Sequence, residues 1–198
     1  MRKHLGIKTN KMNLVLQYKV KKRFEKMGFY TDYDLFNVGG VYIFPHKNFT
    51  YIGAGGDINN KDIKSLKTRF HKWLKQRNID FSKSKLEADM INFDYKGHEF
   101  GNIFLIGDAA GLASGLDGEG IYGAIISGNE VAKKIINPKY ECPGIKKLLK
   151  WKMKHERCLP KSNKIMNKIG IHIIMFLIKA KIAYFPFSIG LVKKKDVV

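Results

Sequence analysis

The stretch from Asn102 to Ile136, NIFLIGDAAGLASGLDGEGIYGAIISGNEVAKKII, constrains what this chain can fold into more than any other. It opens with four apolar residues, Ile103-Phe104-Leu105-Ile106, between Gly101 and Gly107. So short an unbroken apolar run suits a strand buried on both faces, as in a parallel sheet. Gly107-Asp108 closes the run, and Ala109-Ala110-Gly111 leaves the backbone uncovered. A loop through Ser114 and Asp117 then reaches Gly118-Glu119-Gly120. A helix is expected next, because Ile121, Ala124, Ile125, Ala132, Ile135 and Ile136 recur at three-to-four spacing. Lys133 and Lys134 fall in its last turn, where cations complement the helix dipole. Asn137-Pro138 ends it.

The chemistry this arrangement favours is anion and cofactor binding. A helix N-terminus presents unpaired N–H groups and positive potential, and glycines there let a ligand approach the backbone closely. A carboxylate at the end of the preceding strand, Asp108, is an acceptor suited to a sugar hydroxyl. The same residue types fit an ordinary packed strand–loop–helix with a turn aspartate equally well. Gly118-Glu119-Gly120-Ile121-Tyr122-Gly123 also spells G-x-G-x-x-G. The dinucleotide fingerprint of that form follows directly from a strand and has an acidic residue about 20 positions on. Here the ten residues Asp108 to Asp117 intervene and no second βαβ unit follows, which excludes that reading.

On these residues the stretch resembles the flavin-binding segment, GDAAGxxxPxxGEGIxxAxxSG, of the geranylgeranyl reductase family of FAD-dependent oxidoreductases, within the larger p-hydroxybenzoate hydroxylase-like group. Gly107-Asp108-Ala109-Ala110-Gly111, Gly118-Glu119-Gly120-Ile121, Ala124 and Ser127-Gly128 match it. Gly115 stands where a proline is common, and Asp117 where threonine or serine is usual. The resemblance implies FAD as cofactor, with contacts from Gly107, Asp108, Gly111, Gly118, Glu119, Gly120 and Ile121. Asp108 would serve the ribityl or pyrophosphate region. The backbone N–H groups of Gly118, Glu119 and Gly120 would serve the pyrophosphate or a flavin carbonyl. No catalytic acid or base is identifiable.

Two further segments carry the resemblance. Val41 to Gly55, VYIFPHKNFTYIGAG, reads on its own as a hairpin of strands 41–44 and 49–53 turning at Pro45 to Asn48. It is similar to the family's substrate-domain signature, YxWxFP then seven or eight residues and GxG. Phe44-Pro45, the seven-residue gap and Gly53-Ala54-Gly55 match, whereas Gly40 and Tyr42 replace the aromatic and the tryptophan. The resemblance implies that Tyr42, Phe44, Pro45, Gly53 and Gly55 line an apolar cavity for an isoprenoid chain. Met1 to Ile7, MRKHLGI, resembles the tail of the family's DGxxSxVRxxLGI segment. In full-length members an N-terminal unit that holds the ADP half of FAD precedes this point. The resemblance therefore implies the C-terminal part of such an enzyme: a split-gene product whose other half a separate chain supplies, a fragment, or the product of a misplaced start.

Elsewhere the pattern is simpler. Asn13 to Val20 alternates, with Leu14, Leu16, Tyr18 and Val20 on one face, as a half-buried strand does. Phe29 to Val38 is a second strand candidate, broken by Gly39-Gly40. Asn60 is placed to cap a helix through Arg77, with Ile63, Leu66, Phe70, Trp73 and Leu74 on a core stripe. The lysines at 146, 147, 150, 152 and 154, with Arg157, read as a solvated helical face. Residues 169–192 are apolar, but their longest uncharged runs of 10 and 11 residues fall short of the roughly 20 a bilayer-spanning helix needs. Contact with a membrane surface remains open to a basic helix of this kind.

Composition bounds the partners. Hydrophobic content of 44% excludes a disordered chain. The net charge of +20 favours anionic partners, yet only five of the 37 basic residues are arginine, the residue suited to bidentate phosphate recognition. No nucleic-acid motif is present and none is expected as a partner. Cys142 and Cys158, 16 apart, match no metal or redox spacing and read as unpaired thiols; no metal site is expected. Met1-Arg2-Lys3-His4 leads into no apolar signal segment, so a cytoplasmic setting is expected.

These readings converge on an α/β (α+β) chain: an antiparallel substrate-domain sheet plus the last strand and helix of a flavin-binding domain. The expected division is 1–100 for sheet and helix, 101–138 for the FAD-binding strand–loop–helix, and 139–198 for a basic, apolar helical tail. The resemblance implies an oxidoreductase reducing C=C bonds of a geranylgeranyl or other isoprenoid lipid. A monooxygenase of the same flavoprotein group, and a non-catalytic basic module on a membrane surface, are the alternatives.

Overall fold

The computed structural model describes residues 1–31, 33–36, 39–59, 63–115 and 118–157. The expectations placed on Asn60, Asp117, Cys158 and residues 169–192 lie outside them. Two compact units form: Met12–Ile91, and Met1–Lys11 together with the chain from Asn92 onward.

The first unit is a five-stranded sheet covered on one face by a helix. Its strands are β1 (Met12–Val20), β2 (Gly28–Thr31), β3 (Gly40–Pro45), β4 (Thr50–Asp57) and β5 (Leu86–Asn92), in the order β2-β3-β4-β1-β5. The β1–β4, β2–β3 and β3–β4 pairs are antiparallel. The alternation in β1 puts Leu16, Tyr18 and Val20 in the core with Val41, Ile43, Ile52 and Ala54 from β3 and β4. Helix α2 (Leu66–Gln76) closes this core with Leu66, Phe70, Trp73 and Leu74, the stripe its spacing predicts. The helix starts later than the sequence suggests, because a 3₁₀ turn at Ile63–Ser65 precedes it. The second strand also ends early, at Thr31. The chain turns into a short helix, α1 (Tyr33–Phe36), whose Phe36 is buried in the same core. Pro45 is the last residue of β3 rather than a turn residue, and the His46 N–H donates to the Phe49 carbonyl at 2.8 Å to close the hairpin.

In the other unit, α3 (Gly107–Ala110), α4 (Ile121–Ile136) and α5 (Pro143–Arg157) surround a core of Leu105, Ala110, Leu112 and Leu148. Leu5 and Ile7 pack against that core, so the N-terminal residues belong structurally with the Asn102–Ile136 stretch. The expected two-face-buried strand is corrected. Only Ile103–Phe104 is extended (β7), and it pairs antiparallel with Glu99–Phe100 (β6). Gly101, at φ +63°, makes the tight reversal between them, and no parallel partner occurs among the described residues. Leu105 is buried while Ile106 is exposed.

Helix α4 spans the residues predicted, but its burial is rotated. Gly123, Ser127, Glu130 and Val131 face inward, while Ile121, Ile125, Ile135 and Ile136 are exposed. The inward side lies against α3 and α5, which leaves the isoleucine stripe open. The α5 lysines are likewise only partly a solvated face. Lys152 is buried, donating to the Ala113 carbonyl at 2.7 Å and pairing with Glu156 at 2.8 Å.

Candidate functional site

The glycines of the GDAAG…GEGI…SG stretch are explained by close contacts. Gly107 has φ +49°, and its N–H donates to Ser127 Oγ at 2.9 Å. A Cβ there would stand 2.9 Å from the Ala124 methyl. The Ser127 hydroxyl in turn donates to the Gly123 carbonyl at 2.7 Å, so the wholly buried serine ties the start of α3 to α4. Gly111, at φ +79°, caps α3 in the left-handed conformation, and a Cβ there would collide with the Asp94 carbonyl. At Gly123 a Cβ would lie 2.9 Å from the Leu112 carbonyl. The matching Ala124 and Ser127 thus pack the helix onto the turn.

These contacts bring Asp108 and the start of α4 together. Asp108 lies on the first turn of α3 with its carbonyl accepting from Asn92 Nδ2 at 2.7 Å, and a Cβ on Gly120 would meet Asp108 Oδ1 at 2.6 Å. The carboxylate therefore lies against the bare Cα of the residue that begins α4. Gly118, at φ +75°, donates its N–H to the Ser114 carbonyl at 3.1 Å, and Ser114 donates to the Glu119 carbonyl at 2.7 Å. Glu119 Oε1 accepts from the Tyr122 N–H at 2.8 Å, so the carboxylate caps the helix and answers one of its orphan donors. Ile121 is exposed beside this cradle. Gly115, where proline would be common, is pressed against the Phe93 ring, which a Cβ would strike.

In the sheet unit, Tyr42, Phe44 and Gly53 meet on the face opposite α2. Tyr42 and Gly53 are cross-strand neighbours and the tyrosine ring lies across the glycine, while Tyr42 and Phe44 stack at 4.5 Å. Gly55 stands on the same face two residues on, with Val15 Cγ2 3.5 Å from where its Cβ would be. Pro45 ends the strand next to Phe44. The Tyr42 hydroxyl donates to Gln17 Oε1 at 2.7 Å, and Gln17 Nε2 donates to Glu87 Oε2 at 2.8 Å. Burial, with the charges of Glu87 and Tyr51, pushes the Tyr42 hydroxyl up to about 12, so it stays protonated. The face is an aromatic shelf on which the Tyr42 ring covers Gly53.

Sequence reasoning missed two buried ionic groups that brace the first cradle. Burial works against ionisation of Glu130. Hydrogen bonds from the Gly144 N–H at 2.6 Å, the Tyr140 hydroxyl at 3.0 Å and Lys133 outweigh it and hold the carboxyl below its ordinary range. Burial of Lys152 lowers its pKa against the opposing pull of Glu156. Lys152 sits on a helix whose charge pattern reads as solvated and Glu130 off the apolar spacing of α4, so only the register of packing could reveal them.

No protein-family model matches the chain, and no curated protein does. Among solved structures it is similar to a geranylgeranyl bacteriochlorophyll reductase-like protein from Thermoplasma acidophilum. The TM-score is 0.56 at 22% identity, over 81% of this chain. The chain spans 43% of that protein's length. The likeness is one of fold: a mixed α/β chain with an antiparallel sheet, the class its sequence implies.

Proposed function

We propose that this chain is part of an FAD-dependent oxidoreductase that reduces C=C bonds in a geranylgeranyl or other isoprenoid lipid. The observation that carries the reading is the meeting of Asp108 with Gly120 at the start of α4, in a fold shared with a reductase-like protein. An acceptor carboxylate at Asp108 suits a ribityl or ribose hydroxyl, and the missing Cβ at Gly120 is what lets that carboxylate lie against the start of α4. Gly107 and Gly111 hold the turn in shape, and Gly118, Glu119 and Ile121 border the cradle. A flavin held there would supply the hydride for the double bond, with solvent the source of the accompanying proton. The chain's own residues bind, orient and exclude water. On the sheet, Tyr42 and Phe44 offer apolar area, with Gly53 making room for the Tyr42 ring.

The open isoleucine stripe of α4 fits the same reading, because a flavin-binding fold needs strands against that side. The occupant we infer is the remainder of the reductase fold. The test is product analysis: the flavin-loaded assembly with a chemical reductant and geranylgeranyl phospholipid should add two hydrogens per double bond. An oxygenated product would move the protein to the monooxygenases of the same group, and an unaltered lipid would remove the reductase reading.

A further inference from the structure

One end of the five-stranded sheet carries a chemistry that the flavin reading does not use. β1 ends at Val20 opposite Thr50, where β4 begins, so residues 21–27 leave the sheet beside the β3–β4 turn. β2 starts at Gly28 opposite Ile43, which brings Met27 alongside Phe44. The two loops and the end of β1 gather Lys19, Lys21, Lys22, Arg23, Lys26 and Lys47, all exposed, against the single acid Glu25. Lys19 lies over the Phe49 ring at 4.1 Å and Lys22 over Phe24 at 5.5 Å. Among the described residues none of the six pairs with a carboxylate. Apolar groups stand among these cations: Met27 is 75% exposed and Phe44 44%. Beside them His46 stacks on Phe49 at 4.5 Å, with Tyr51 edge-on at 5.3 Å.

Cations interleaved with exposed Met and aromatic rings complement an anionic bilayer. Lysines meet the phosphates with their stems along apolar surface, and rings settle at the headgroup–acyl boundary. Nucleic acid would favour arginine forks, and only Arg23 offers one. We propose that this sheet end docks on an anionic phospholipid surface, with Met27 and Phe44 entering the boundary. Phe44 is also the residue stacked on Tyr42, so the docked end opens onto the face assigned above to the lipid chain. That last link rests on the proposed function; the docking does not.

The experiment is co-sedimentation of the full chain with vesicles of phosphatidylcholine alone or mixed with phosphatidylserine. Binding is expected only to the mixed vesicles, weakening as salt rises. K21E/K22E/R23E should weaken it by about a hundredfold or more, since each cation at such a surface is worth about fivefold. K67E/K72E/K75E changes charge equally on the exposed side of α2 and should leave binding within about twofold of wild type. An equal loss in both triple variants would make net charge responsible and overturn the proposal. Unchanged binding of M27S/F44S, with wild-type circular dichroism, would overturn the entry of those side chains. Binding to duplex DNA or RNA that K21E/K22E/R23E abolishes, without vesicle binding, would replace the bilayer with nucleic acid. Flavin content of the assembly reads the proposed function separately, so failure of either leaves the other standing.

Discussion

At the scale of single residues, the structure gives most glycines of the central stretch a job in packing, and the proposed function gives Asp108 one in binding. Gly111→Ala would force a side chain into a left-handed backbone and onto the Asp94 carbonyl. It should cost about 2 kcal/mol or more, read by denaturant unfolding. Asp108→Ala removes no core atom, because the residue is exposed. It should leave stability nearly unchanged while weakening flavin binding by about tenfold to a hundredfold, the worth of a hydrogen bond to a charged group. Equal flavin affinity in titration would sink that assignment. Glu130 sets a pH dependence. Its folded pKa lies below the unfolded value, so the stability it contributes is present above the ordinary carboxylate range and is lost as pH falls through the folded value. Glu130→Gln should flatten the acid limb of the stability–pH curve, and an unaltered limb would show that the buried network contributes nothing there.

At the scale of elements, two packings decide the fold. Ser127→Ala leaves the Gly107 N–H without its acceptor between α3 and α4, and a loss of about 1–3 kcal/mol is expected in thermal or denaturant unfolding. In the sheet unit, Trp73→Ala empties the centre of the α2 contact and should cost about 3–5 kcal/mol. The elements legible in the sequence are those whose pattern has one physical solution. The alternation of Leu14, Leu16, Tyr18 and Val20 can only be a one-faced strand, and the Leu66–Leu74 stripe only a one-faced helix. Where two solutions exist, pattern fails. Ile103 to Ile106 fits a central parallel strand or half of a tight hairpin, and Gly101 at positive φ selects the hairpin. In α4, apolar spacing defines a face without saying what covers it, while Ser127 and Glu130 find partners inside. Lys152 is hidden for the same reason, since its partner, the Ala113 carbonyl, is 39 positions away. Asp108 and Gly120 both fall in the motif that carries the resemblance, whereas Glu130 and Lys152 carry no motif.

At the scale of the whole molecule, the isoleucine stripe of α4 is exposed, and the chain spans 43% of the length of the reductase-like protein whose fold it resembles. Ile125 and Ile135 are solvent-facing, so I125K/I135K should change the stability of the isolated chain by no more than about 0.5 kcal/mol. Under the proposed function, the same variant should abolish assembly with the proposed remainder of the reductase, in size-exclusion chromatography of co-expressed material. Intact assembly would place the interface elsewhere. The central claim, that part of a flavin site resides here, has a direct readout in the visible absorption spectrum of the purified chain, alone and co-expressed with the upstream reading frame. The account predicts a flavin spectrum in the co-expressed sample that Asp108→Ala diminishes. A colourless protein in both preparations would contradict it.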